Sequence, residues 1–201
     1  MARKPAPGAH DRILDTAARL FNDHGVHAVG LQQIIDECSC GKNLLYREFG
    51  SKDELIVAYL ERCRQDSAAR IDRATQALAD DPAGQLVAVV RVASEQVAAP
   101  DYRGCPFLNI HAEFPDTNHP AHQVSVAHRT ALRAQLRDLA ARAGAADPET
   151  LADRILLIVD GVYANGAILD TGGAAGAAVA FAEEVVRDAT RPSATMNATP
   201  A

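Results

Sequence analysis

The sequence predicts an all-α fold, with a small N-terminal bundle of three helices followed by a longer helical C-terminal part. Three observations predict it. Apolar residues recur at helical spacing along most of the 201-residue chain, and no period-two alternation persists. Apolar types make up 48% of the residues but aromatics only 4%, with no Trp, so the core is largely Ala, Leu, Val and Ile, which suit closely packed helices. Helix starts and stops are also marked, by Asp-Pro and Ser-x-x-Glu at one end and Gly at the other.

The first helix is expected over 10–24. Ile13, Leu14, Ala17, Leu20 and Phe21 form one apolar stripe, and Gly25 is placed to stop it. The second runs from about Gly30 to Cys38, with Leu31, Ile34, Ile35 and Cys38 on one face. The third covers Lys42 to Phe49 and buries Leu45 and Phe49. Ser51 and Glu54 form a capping box that opens a long fourth helix to about Ala79. Asp81-Pro82 and Asp147-Pro148 open helices near 82–98 and 148–170, because Asp accepts from free amides and Pro loses no bond at the first helical position. Between them lie a short helix from Pro106 to Phe114, stopped by Pro115, and a longer one from Pro120 to Ala143 with Leu132, Leu136 and Leu139 on its stripe. A last helix is expected near 174–189. The tails, rich in Pro, Ala, Ser and Thr, bury too little to fold.

Composition narrows the classes. No run reaches the roughly 18 uncharged apolar residues a membrane span needs, and no apolar segment follows the basic N-terminus, so a cytoplasmic protein with no membrane partner is expected. Cys38, Cys40, Cys63 and Cys105 show no framework spacing and are expected as reduced thiols, with 38 and 40 poorly placed to bridge. The net charge is −6, yet residues 1–47 carry six Lys/Arg and five Asp/Glu, so only the front quarter does not repel a polyanion. No GxSxG, Walker-type loop, paired CxxC or HExxH occurs, which argues against an enzyme.

The second and third helices, joined by a short turn, have the pattern of a helix-turn-helix, whose second helix enters the DNA major groove. With Leu45 and Phe49 facing inward, Lys42, Asn43, Leu44, Tyr46 and Arg47 point outward. Lys and Arg suit phosphate or guanine, Asn suits adenine, Leu a thymine methyl and Tyr a phosphate. Gln32 and Gln33 on the preceding helix reach toward the same groove. A plain helical hairpin with solvated charges is the alternative.

Residues 10–55 resemble the DNA-binding domain of the tetracycline-repressor (TetR) family, through "ILDTAARLFNDHG", "LQQIIDECS" and "GKNLLYREFGSKDEL". The resemblance implies an all-α homodimer with an N-terminal three-helix helix-turn-helix domain and a C-terminal ligand-binding and dimerisation domain. It further implies a double-stranded DNA operator, a small-molecule effector and a dimer interface through the last two helices, with no cofactor. Gln32 sits where the family reads a base, Lys42 to Arg47 occupy contact positions, and Lys52 sits where a phosphate is clamped. Gly30 and Gly41 replace the usual Ser or Thr caps, Ser39 stands where Gly is common, and Glu48 puts a carboxylate beside the DNA.

On this reading the domains are a tail over 1–9, the DNA-binding domain over 10–50, the effector and dimerisation domain over 51–190 and a tail over 191–201. Residues 155–159 are apolar at consecutive positions, and Gly161, Ala164, Gly166 and Ala167 allow close helix approach. Tyr102, Cys105, Phe107, Asn109, His111, Phe114, His128 and Tyr163 are the candidate ligand-binding residues, aromatic walls with a few polar anchors. Two rival readings stay open. Cys105, near Arg103 and a helix start, would serve a redox or electrophile sensor. His111, Glu113, His119 and His122 would serve a metal-responsive regulator, but Pro115 and Pro120 break the register between them, and no metal ligand is assigned.

Overall fold

The computed structural model describes residues 8–169 and 173–191. Residues 1–7, 170–172 and 192–201, which include most of both expected tails, lie outside the described residues. The helices are α1 (Ala9–His24), α2 (Leu31–Glu37), α3 (Lys42–Glu48), α4 (Lys52–Thr75), α5 (Pro82–Val97), α6 (Pro106–Glu113), α7 (Pro120–Arg142), α8 (Pro148–Leu169) and α9 (Ala174–Ala189), with one 3-10 turn at Gln76–Leu78.

Local chemistry sets these bounds. Gly25 ends α1 at φ +80°, its amide donating to the Phe21 carbonyl. Asp81 caps α5 by accepting from the Gly84 amide at 2.8 Å. Asp147 caps α8 by accepting from the amide and hydroxyl of Thr150 at 3.1 and 2.6 Å. Before α4, Ser51 Oγ accepts from the Glu54 amide at 3.1 Å, as a capping box requires. The returning Glu54 carboxylate, however, accepts from Gly50, one residue before the cap. The fourth helix stops being α-helical at Thr75 rather than Ala79, since the Thr75 hydroxyl donates back to the carbonyls of Ile71 and Asp72 and the chain tightens into the 3-10 turn.

One expectation is corrected. Cys38 and Cys40 are joined in a disulfide. Ser39 between them takes a left-handed φ of +50°, which doubles the chain back and sets the two Cα atoms 5.3 Å apart, within disulfide reach. Cys63 and Cys105 remain free thiols.

The chain forms two compact units. The first comprises residues up to Arg70 together with Asp101–Ala131. Its core is built from Ile13, Leu20, Ile34, Leu45, Leu55, Ile56, Leu60 and Ile110, all fully buried, with Phe21 set edge-on to Tyr59. The second comprises Ile71–Pro100 and residues from Leu132 onward, and in it α5, α8 and α9 pack on one another. Leu86, Leu136, Leu151 and Ile155 fill that core. Arg133 on α7 grips Asp153 on α8 through two hydrogen bonds of 2.5 and 2.9 Å. Gly166 of α8 lies so close to α5 that a Cβ there would fall 1.8 Å from Val97 Cγ1. Helices α4 and α7 each begin in the first unit and finish in the second.

Candidate nucleic-acid interface

The α2–turn–α3 pair presents one continuous outward face. Leu45 is fully buried and Phe49 nearly so, which anchors α3 by its inner side. That leaves Lys42, Asn43, Tyr46 and Arg47 exposed, with Leu44 half-buried. The Lys42 ammonium lies 5.9 Å from the Tyr46 ring centroid, so the cation and the phenol are held as a pair. Glu48 is turned inward, its side chain 17% exposed and 3.5 Å from the Arg47 guanidinium, so its carboxylate does not face outward uncompensated. On α2, the Gln32 amide donates to Asp36 at 2.8 Å, and Gln33 sits half-buried on the same helix. Arg19 of α1 pairs with Glu37, and that hydrogen bond holds the Glu37 carboxyl below its ordinary range.

Neither α2 nor α3 has a side-chain cap; Gly30 and Gly41 are extended and make no such bond. The first amides of both helices therefore have no side-chain acceptor at the cap, a natural place for phosphate oxygens. Lys52 stands differently. Its ammonium donates to the Val26 carbonyl at 2.7 Å, and burial lowers its pKa against the opposing pull of Glu113 and Asp53.

The residues weighed as ligand contacts are dispersed. Cys105, Phe107 and Phe114 are buried, and Asn109 is exposed, donating to the Arg103 carbonyl at 3.2 Å. Phe114 is stacked against His119 on one side and lies near His27 on the other, with centroids 4.2 and 4.5 Å away. His111 lies 4.6 Å from the His122 ring, and His122 Nδ1 is 2.8 Å from the Phe114 carbonyl. His119 accepts from the Ala121 amide and so caps α7. Tyr102 is half-buried in the same unit. Tyr163 belongs to the other unit, where its hydroxyl donates to Gln96 at 2.6 Å. In the first unit a cavity of about 170 Å³ is bordered by Phe21, Tyr59, Asn109, Ile110 and Glu113; Asn109 is its one member from the expected ligand set. Among the described residues, no three His, Cys, Asp or Glu side chains are grouped to hold a metal ion.

His128 lies flat on Phe107 with centroids 3.7 Å apart. Burial, reinforced by Arg129 and Arg64, lowers its pKa from 6.5 to about 4. A histidine depressed in the folded state contributes stability above its unfolded pKa and loses it as pH falls through the folded one. Wild type should therefore lose thermal stability between about pH 6.5 and 4, and His128→Leu should show a shallower loss over that window. Melting curves with the same pH dependence in both proteins would remove His128 from the account.

Sequence reasoning missed Glu113 as a structural acceptor. Its carboxylate takes the backbone amides of Val26 and His27 at 3.2 and 2.8 Å, 87 and 86 residues away. No local pattern signals a bond across such a separation.

Comparison with known proteins places these features. A family model described as bacterial regulatory proteins of the tetR family matches residues 13–59, and one described as a tetracyclin repressor-like C-terminal domain matches 82–182. The crystal structure of SCO4454, a TetR-family transcriptional regulator from Streptomyces coelicolor, superposes with a TM-score of 0.86 at 33% identity, covering 91% of this chain and 96% of that one. A putative TetR-type regulator from Streptomyces avermitilis gives 0.75 at 31% identity, covering 90% and 97%. Among curated sequences, the transcriptional activator FasR of Mycolicibacterium smegmatis is 32% identical over 79 residues, 39% of this chain. That match spans 36% of FasR's own length.

Proposed function

Since the chain belongs to the tetracycline-repressor family of bacterial transcriptional regulators, we propose that it is a repressor that binds a palindromic operator as a homodimer and is released by a small molecule. Family members generally act as dimeric, ligand-responsive repressors of operator DNA. The observation that carries the reading here is the outward face of α3, where Lys42, Asn43, Tyr46 and Arg47 stand clear of a core anchored by Leu45. Gln32, Gln33, Leu44 and the Lys52 region complete the proposed footprint.

Dimerisation through α8 and α9 is supported by a groove of about 640 Å³ whose lining includes Leu157, Ile158, Val162, Phe181 and Val185. Leu157 is 70% exposed and Phe181 55%, so two large apolar side chains of one groove stand in water. The proposed effector is an apolar or amphipathic small molecule bound among α4–α8. It releases DNA only by preferring a conformation in which the two reading helices are wrongly spaced.

The thiol-sensor reading through Cys105 ranks second. Cys105 is 7% exposed, and burial pushes the thiol of the neighbouring Cys63 up to about 11, so this interior does not favour thiolates. Selection of genomic fragments on the purified dimer, followed by footprinting, tests the main reading. It should yield two protected half-sites related by a two-fold axis and spaced by about one turn of B-DNA or more. Recovery of no fragment above background defeats it.

A further inference from the structure

We propose that Glu113 is a positioning residue for DNA reading, a latch through which the C-terminal end of α6 holds α2 in place; this rests on the operator-binding reading above. The turn between α1 and α2 has three backbone polar atoms, on two peptide groups, gripped from elsewhere. Glu113 accepts the Val26 amide at 3.2 Å and the His27 amide at 2.8 Å, one on each carboxylate oxygen. Lys52 at the start of α4 donates to the Val26 carbonyl at 2.7 Å. The His27 ring also reaches back, with Nε2 2.8 Å from the Glu113 carbonyl and its plane against Phe114.

Gly25 shows how close the fit is. Its φ of +80° favours glycine, and a Cβ there would also lie only 3.4 Å from the Glu113 carboxylate. The helix that follows the turn has little hold of its own, because Gly30 supplies no side-chain cap and α2 is seven residues long. Beside buried Ile34 and Ile35 and the Arg19–Glu37 pair, the turn is the tether at the N-terminal end of α2, nearest Gln32 and Gln33.

The two ends of this latch come from different segments. The turn lies within residues matched by the N-terminal family model, and Glu113 within those matched by the C-terminal one. Yet α6 and the turn share one compact unit. A shift of α6 by a turn of helix or less would break two charge-assisted bonds at once, and α2 would lose its register relative to α3. This differs from transmission along α4 alone, since Lys52 reaches only the carbonyl side of the same turn.

The test uses the full chain and the operator recovered by footprinting. Glu113→Ala should weaken operator binding by about tenfold and bring its salt-independent part down with it. Hydrogen exchange at the Val26 and His27 amides should accelerate in this variant, while amides in the α5, α8 and α9 core stay protected. Glu113→Gln, which keeps one acceptor oxygen, should fall between wild type and Glu113→Ala in both readouts. Operator affinity unchanged in Glu113→Ala overturns the latch, as does unchanged exchange at the two turn amides. Loss of protection throughout the core would mark a merely structural role and also overturn it. If wild type itself binds no DNA, the operator reading fails, and that outcome is distinct from a wild type that binds and a variant that binds equally well.

Discussion

Leu157→Asp combined with Phe181→Asp should separate the dimer and cost operator affinity on the order of 10²–10⁴. Both side chains border the α8/α9 groove and stand largely in solvent, while Ala178 and Val162 of the same groove are buried. A carboxylate at each position puts unpaired charge into a surface that must desolvate to pair, a cost of several kcal/mol per ion in a fully closed interface, of which an interface rim feels only part. Each released protomer keeps its reading helices, so binding to a single half-site should survive at the weaker, one-armed level. Sedimentation velocity and operator titration on the same preparation check the two halves of the claim. A double variant that remains dimeric would relocate the interface; a monomer that binds the full operator at wild-type strength would remove the need for symmetry.

Lys42, Tyr46 and Arg47, replaced together by alanine, should weaken binding to all sequences alike. Every phosphate that the variant no longer touches should lower the magnitude of the slope of log affinity against log salt by about 0.9. All three side chains are exposed, so stability should change little. Gln32→Ala and Asn43→Ala should act differently, relaxing preference at one base pair each by about 1–3 kcal/mol. Gln32 should sit at the lower end, because its amide must first give up the 2.8 Å bond to Asp36 before it can read a base edge. Titrations of operator and scrambled duplex across a range of salt separate the two classes. A triple variant with an unaltered salt slope would move the DNA-facing surface away from α3.

Helix starts were legible in the sequence because their chemistry is local. Asp81, Asp147 and Ser51 each cap the helix they precede, and each bond spans three residues. The outward face of α3 was legible for the same reason: burial of Leu45 and Phe49 fixes where Lys42 and Tyr46 point. What escaped depends on a backbone excursion or on distance in the chain. The Cys38–Cys40 bridge needs Ser39 in a left-handed conformation, which a serine rarely signals. The partners of Glu113 and Lys52 lie 86, 87 and 26 residues away, beyond any periodic pattern. Side-chain types suggested aromatic walls for a ligand pocket, but the stacking of Phe114 on His119 and of Phe107 on His128 was not legible in them. Composition alone cannot tell an aromatic wall from an aromatic stack.

Each compact unit is stitched from two stretches of chain, and the order of synthesis makes this matter. When the first 70 residues have emerged from a ribosome, the reading helices exist, but Ile110, which borders the same cavity as Phe21 and Tyr59, has not been made. Glu113 is absent too, so the α1–α2 turn lacks two of its hydrogen bonds and keeps the one from Lys52. A nascent or truncated chain that stops before α6 therefore displays DNA-facing side chains on a head whose core is open and whose turn is half secured. Such a product should be cut by protease faster than the full chain.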